Sequence, residues 1–333
     1  MSNRFFSRCL PLLGIAVTAA AQPSSDYRIS GPYTHDNLSV FLVHARKLAT
    51  NQKYLTLQEA LDQKKVVVYE TGSVNELAIQ NVSSEEVYIQ SGDIVKGGRQ
   101  DRVLPEDTLL MPHSGKLPIS AFCVEHGRWT GRGGEASDHF GSSNQALAGK
   151  GLKMAAREPG AQSKVWDEVQ KAQQRLSSNL ASGAVLASPS PTSMQLTLES
   201  KPVSEASEAY VKDLAKIVDG KSDVVGYAYA VNGKLNSADV YGSSDLFRRM
   251  WPKLLKASAV EALAEKNAAP AKPPVVEPAT VRSALVAADG ASAVSKDDSG
   301  RVAKVKKESD KAVQYETVDS AANAPVHKSV VLK

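Results

Sequence analysis

The chain has 333 residues, in which 40 Lys and Arg face 36 Asp and Glu, for a formal charge of +4. So mild a basic excess points to neither nucleic acid nor a membrane surface as a partner. The length suits one large domain or two small ones, and 42% apolar residues are enough for a core over part of it.

The first residues read as a secretory signal. Arg4 and Arg8 supply positive charge, residues 10–18 a short apolar stretch, and Ala19-Ala20-Ala21 a small-residue cleavage site. The stretch is too short to span a bilayer, and no later segment is apolar enough. Residues 1–21 are therefore expected to be removed near Ala21. The product is expected to be exported, periplasmic or extracellular, without stable membrane insertion. Cys9 leaves with the signal, so Cys123 is left without a partner for an internal disulfide.

Residues 30–186 are expected to form a β-rich domain with a trailing helix. Residues 38–45 are the first apolar run. Thr56 and Glu59 form a capping-box pair at the start of a short helix. Residues 66–69 are β-rich. Residues 77–82 and 87–89 flank the polar turn 83–86 and read as a hairpin. Residues 108–111 and 117–125 add two strands. Short strands at this spacing favour an antiparallel sandwich or partly open barrel. Val165, Val169, Ala172, Leu176 and Leu180 then recur at helical steps, with Ser163 as cap and Gly183 as stop.

Residues 197–266 read as a smaller α/β lobe. Ser204 is the expected cap of a helix carrying Tyr210, Leu214 and Ile217. Residues 224–231 and 235–241 are strands joined by Asn232-Gly233, both of which tolerate positive φ. A helix starts at residues 242–245, and Pro252 predicts a kink or restart in it. Residues 267–310 are rich in Ala, Pro, Lys and Asp and lack aromatics, the composition of a disordered linker. Residues 311–333 recover a strand pattern, expected as a C-terminal β-hairpin. The fold class is α+β: an N-terminal antiparallel β-sandwich-like domain, then helices, then a β-hairpin/helix lobe.

Two arginine-bearing glycine turns concentrate the chemistry. The first runs Gly97-Gly98-Arg99-Gln100-Asp101-Arg102. The second runs from Cys123 through Glu125, His126, Arg128, Trp129 and Arg132 to Gly134. Arg99, Arg102, Arg128 and Arg132 suit a carboxylate or phosphate, because a guanidinium offers a planar fork of donors. Asp101 and Glu125 would orient them, and Trp129 would cover an apolar or sugar-like face. The competing reading is internal pairing with Asp93, Asp101, Glu125 and Glu135. On a continuous strand Cys123 and His126 face opposite ways, which weakens a thiol–imidazole couple. The six histidines show no metal-ligand spacing, and no metal is expected. Gly149-Lys150-Gly151 lacks the hydroxyl of a phosphate loop, no serine sits in a nucleophile elbow, and no cofactor is expected.

Several stretches together resemble one known family. They are residues 88–93, the 97–102 turn, Cys123-Val124-Glu125 with Gly127-Arg128-Trp129, Gln162 to Trp166, the Asn232-Gly233 region and His327-Lys328-Ser329. The resemblance is to the ARPP-1 domain, named for its association with ARG and rhodanese-phosphatase-superfamily proteins. It covers most of residues 33–265 and the last twenty. It implies no established reaction and no catalytic roles. The function expected from the residues is binding of a small anionic or polar ligand at the arginine/glycine turns. Two other readings stay open. One is a hydrolase-type enzyme using Glu125, His126 or Cys123 in the same pocket. The other is a scaffold presenting the face of Trp166, Val169 and Ala172.

Overall fold

The structure is a computed structural model describing residues 24–143, 146–158, 161–186, 190–268, 270, 272–297 and 301–333. The expected signal at 1–21 lies outside the described residues. The chain is α+β, built on antiparallel sheets with helices against them.

Strands β1 (Arg28–His35) and β2 (Leu38–His44) pair antiparallel. A two-residue strand β3 (Leu55–Thr56) leads into α1 (Leu57–Asp62). The capping box forms: Thr56 Oγ1 accepts the Glu59 N–H at 3.2 Å, and the Glu59 carboxylate accepts the Thr56 N–H at 2.9 Å. Next come β4 (Val66–Tyr69), β5 (Glu76–Asn81), β6 (Val87–Ile89), β7 (Ile94–Gly97), β8 (Arg102–Val103), β9 (Thr108–Leu110), β10 (Leu117–Ser120), β11 (Phe122–Cys123) and β12 (His139–Ser142).

Seven of these make a barrel-like sheet in the order β10-β5-β4-β12-β7-β8-β11, while β3, β6 and β9 form a small separate sheet. The hairpin expected between β5 and β6 is therefore absent. β5 pairs with β4 and β10, and β6 pairs with β3 and β9. The turn at residues 83–86 hands the chain from one sheet to the other. Asn81 holds that turn, because its side-chain amide donates to the carbonyls of Glu85 and Met111 at 2.7 and 3.0 Å.

Four helices follow: α2 (Lys150–Ala156), α3 (Gln162–Asn179), α4 (Met194–Glu199) and α5 (Lys201–Leu214). α3 buries Val165, Val169, Gln173 and Leu176, as its spacing predicts. Its N-cap is Ala161 rather than Ser163, and the cap of α5 is Ser200 rather than Ser204. Pro202 sits in the first turn of α5, where a missing N–H costs nothing.

Strands β13 (Val224–Val231) and β14 (Lys234–Tyr241) form the Asn232-Gly233 hairpin, with φ of 53° and 73° at the two turn residues. Helix α6 (Ser244–Ala264) starts at Ser243, whose hydroxyl accepts the Leu246 N–H at 3.2 Å. It is one helix through Pro252, with no restart. Leu246, Phe247, Met250, Trp251, Leu254 and Leu255 bury both halves of it against the core.

The linker expected at 267–310 is replaced by structure over most of its length: helix α7 (Pro278–Asp289), strand β15 (Ser292–Asp297) and strand β16 (Val302–Glu308). β17 (Ala312–Asp319) and β18 (Ala324–Leu332) form the C-terminal hairpin. All join one antiparallel sheet in the order β1-β2-β13-β14-β18-β17-β16-β15. Strands from residues 28–44 thus lie beside strands from 224–241, so the sheet crosses the boundary expected near 186–197.

Period two splits this sheet into two cores. Leu38, Val40, Leu42, Tyr227, Tyr229 and Tyr241 face α5 and α6. Phe41, Val43, Ala228, Ala230, Val240 and Val330 face α7, which contributes Val281, Leu285 and Ala288. A third core fills the barrel-like sheet with Leu57, Val68, Leu77, Ile79 and Phe140.

Candidate functional site

The two glycine turns meet. Gly97 and Gly98 adopt φ of 120° and 53°, and a Cβ on Gly98 would run into the Phe140 ring. Arg128 grips Glu125 through a fork, with Nε and Nη2 each 2.8 Å from a carboxylate oxygen. It then donates to the first turn, from Nη1 to the Gly98 carbonyl at 3.0 Å and from Nη2 to the Gly97 carbonyl at 3.3 Å. Arg132 forks onto Asp101 at 2.9 and 3.0 Å and also reaches Glu135 at 3.0 Å. Asp101 is fully buried and accepts the Gly97 N–H at 3.0 Å and the Ser193 hydroxyl at 2.7 Å. Ser193 is itself the cap of α4, accepting the Leu196 N–H. Burial pushes the Glu125 carboxyl up, but hydrogen bonds from Arg128 and Ser190 outweigh it and hold the group below its ordinary range. Asp93, a suggested partner of these arginines, pairs instead with Lys253 at 2.6 Å.

Arg99 and Arg102 differ from the other two. Their guanidinium carbons lie 5.5 and 5.8 Å from the centre of the Trp129 ring, which is 41% exposed. Arg102 is fully buried. Its Nη1 donates to the Gln100 carbonyl at 2.8 Å and its Nη2 stands 3.6 Å from Glu70, while Nε and Nη2 make no hydrogen bond.

Cys123 faces Arg102 across the β8–β11 pair and is fully buried, with its Sγ 3.8 Å from the Val74 carbonyl. Burial pushes its thiol up to about 11. His126 packs edge-on against Trp166, ring centres 4.5 Å apart. At neutral pH iodoacetamide should therefore leave native Cys123 unlabelled and label it once urea unfolds the chain. Rapid labelling of the folded protein would contradict this burial.

A second buried polar group lies between the sheets. His327 on β18 is within 2.7 Å of Asp107 and 3.0 Å of Asp239 on β14. Asp107 also accepts the Ser91 N–H at 2.8 Å and the Thr317 hydroxyl at 2.9 Å. Tyr241 stacks on the imidazole at 4.7 Å, and its hydroxyl donates to Gln90 at 2.6 Å. Burial disfavours the imidazolium, yet the two carboxylates prevail and raise His327 to about 9. Among the described residues, no group of three or more His, Cys, Asp and Glu is arranged to hold a metal.

A cleft of about 630 Å³, not anticipated from the sequence, opens between α2, α3, α6 and the β13–β14 hairpin. Leu152, Val169, Leu176, Leu198 and Val260 form its apolar walls, with Lys171, Arg175 and Lys234 at the rim. Lys171 pairs with Glu168 and Arg175 with Glu265. Lys150 and Glu261 mark its inner end. They also line a narrow chamber of about 10 Å³, room for one water, with Lys153, Tyr227, Tyr229, Asp239 and Ser329.

The Glu261 carboxyl is enclosed, although the residue as a whole is partly exposed. It accepts the Tyr229 hydroxyl, and the Lys150 N–H at 2.7 Å. Burial raises it above its ordinary range despite these donors, and burial lowers the Lys150 ammonium. Asn236 Oδ1, on a residue lining the cleft, has no hydrogen-bond partner. The sequence offered one signal here, Gly149-Lys150-Gly151, which fits no phosphate loop. Tyr227 and Tyr229, whose rings stack at 5.7 Å, line the inner chamber.

No curated protein and no solved structure matches the chain. The family model described as the ARG and Rhodanese-Phosphatase-superfamily-associated Protein domain matches residues 26–331, the stretch that holds both glycine turns, the His327 group and the cleft. The chain belongs to this ARPP-1 family.

Proposed function

We propose that the protein is an exported binding protein that holds a small molecule in the cleft between α3, α6 and the β13–β14 hairpin. The observation that carries this reading is the cleft's form. Its volume of about 630 Å³ lies within the range of ligand sites, and its apolar walls lead to a few polar groups with shifted proton affinities. Export rests on the charged start, the short apolar run and the alanines at 19–21. Arg128 and Arg132 are assigned to the fold, since internal carboxylates already occupy their forks.

The test uses the neutral fluorescent probe N-phenyl-1-naphthylamine. The wild-type protein should bind it, and Ala172→Trp, which projects an indole into the cleft, should weaken binding by about tenfold or more. Circular dichroism should show an unchanged fold. Equal binding by the variant would remove the cleft from the reading.

A second reading rests on the two donors of Arg102 that make no hydrogen bond. A small anion could take them, with Arg99 beside it and Trp129 across. A ligand held there would be indifferent to Ala172→Trp, so the same variant separates the two sites.

A further inference from the structure

We propose that the ligand of the cleft is an amphiphile with a single anionic head of the carboxylate class. The head lies beside Lys150 at the inner end, and the apolar tail runs between α3 and α6. This rests on the reading of the cleft as the binding site.

The inner end carries two lysines. Lys150 and Lys153 lie three residues apart on α2, so they project to the same side of the helix. Among the described residues, neither ammonium has a carboxylate within ion-pair distance. The Lys153 stem lies against the backbone of Gly92, where a Cβ would meet its Cε at 2.6 Å. Two acids stand nearby, and other groups engage both. Asp239 accepts from His327 at 3.0 Å. Glu261 accepts the Tyr229 hydroxyl and the Lys150 N–H. Neither closes an ion pair with a lysine ammonium. A cationic head would meet two like charges there, and a neutral head would leave the ionic contact unmade. An anionic head would accept charge-assisted hydrogen bonds from Lys150.

The rest of the cleft suits a tail and not a second charge. Leu152, Val169, Leu176, Leu198 and Val260 offer no donor. At the rim, Lys171 and Arg175 are already paired with Glu168 and Glu265, and Lys234 is exposed, where water and salt screen its charge. The polar part of the ligand is thus directed inward and the apolar part outward along the helices.

Three compounds with one tail test this: dodecanoate, dodecanol and dodecylamine, each displacing N-phenyl-1-naphthylamine from the full chain at neutral pH. Dodecanoate should bind about tenfold more tightly than dodecanol, a gain expected of one charge-assisted contact, with dodecylamine weakest. The double variant Lys150→Gln/Lys153→Gln should lose the preference for dodecanoate over dodecanol, with circular dichroism reporting that its fold is intact. Dodecanol binding as tightly as dodecanoate to the wild type would overturn the head-group assignment and leave the cleft reading standing. So would a preference that survives in the double variant. Failure of the probe and of all three compounds to bind would overturn the cleft reading itself.

Discussion

Asp101→Ala should destabilise the fold by about 3–5 kcal/mol, the cost of leaving a buried charge without its partner. Asp101 is fully exchanged out of water and takes both arms of the Arg132 fork. It also ties the Gly97 amide to the Ser193 hydroxyl, and so joins the first glycine turn to the start of α4. Its removal leaves Arg132, only 6% exposed, with Glu135 and a longer 3.4 Å contact to Glu125. Urea unfolding measures the loss as a lower midpoint at unchanged slope. The double variant Asp101→Ala/Arg132→Ala should cost less than the sum of the single changes, because the stranded charge goes with its partner. A loss below about 1 kcal/mol would mean that the buried pair contributes little beyond a surface one.

The second large effect is a dependence of stability on pH. His327 is raised from its ordinary 6.5 to about 9. Burial works against that rise, and Asp107 and Asp239 overcome it. A raised imidazole contributes stability that is complete below its unfolded value and is lost as pH climbs through its folded value. Between about pH 6.5 and pH 9 the protein should therefore lose on the order of 3 kcal/mol. Asp107 and Asp239 act in the opposite sense. Burial pushes both up, but His327 beside Asp107, and the charge of Lys153 together with His327 beside Asp239, hold both below the ordinary carboxylate range. Their contribution is present above that range and is lost as pH falls through it. Stability should peak between the two windows. His327→Gln should flatten the alkaline limb and lower the peak, since two buried carboxylates then lack their imidazolium. An alkaline limb of equal slope in the variant would assign the effect to other groups.

Local chemistry in the chain foretold local structure well. The Thr56/Glu59 capping box, the Asn232-Gly233 hairpin and the buried stripe of α3 each rest on residues within a few positions of one another. The α+β class followed from them. What depended on distant partners was hidden. Val87–Ile89 are all buried, so no alternation marked which sheet β6 would join. Helix α7 sits in an Ala- and Pro-rich stretch and buries only Val281, Leu285 and Ala288, too thin a stripe to stand out against a linker composition. β15 is exposed at every position and carries no pattern at all.

The site followed the same division. Four acids and four arginines near two turns announced a charged cluster, but it took the folded arrangement to pair Arg128 and Arg132 inward and to leave two donors of Arg102 without a hydrogen bond. Asp107, Asp239 and His327 lie up to 220 residues apart, beyond any motif spacing. The cleft draws its walls from five separated stretches between residues 147 and 270, and from Lys333, none of which reads as a site alone.

The strand order of the large sheet also governs when this molecule can become itself. β14 pairs on one side with β13, its immediate neighbour in sequence, and on the other with β18, which ends at Leu332. Until β18 has been synthesised, the flank of β14 stays open and Asp239 waits for the imidazole of His327. A nascent chain therefore cannot settle its central sheet piece by piece from the amino end. It must hold that edge unsatisfied until β18 has been made, and an open edge of this kind is exposed to wrong pairings.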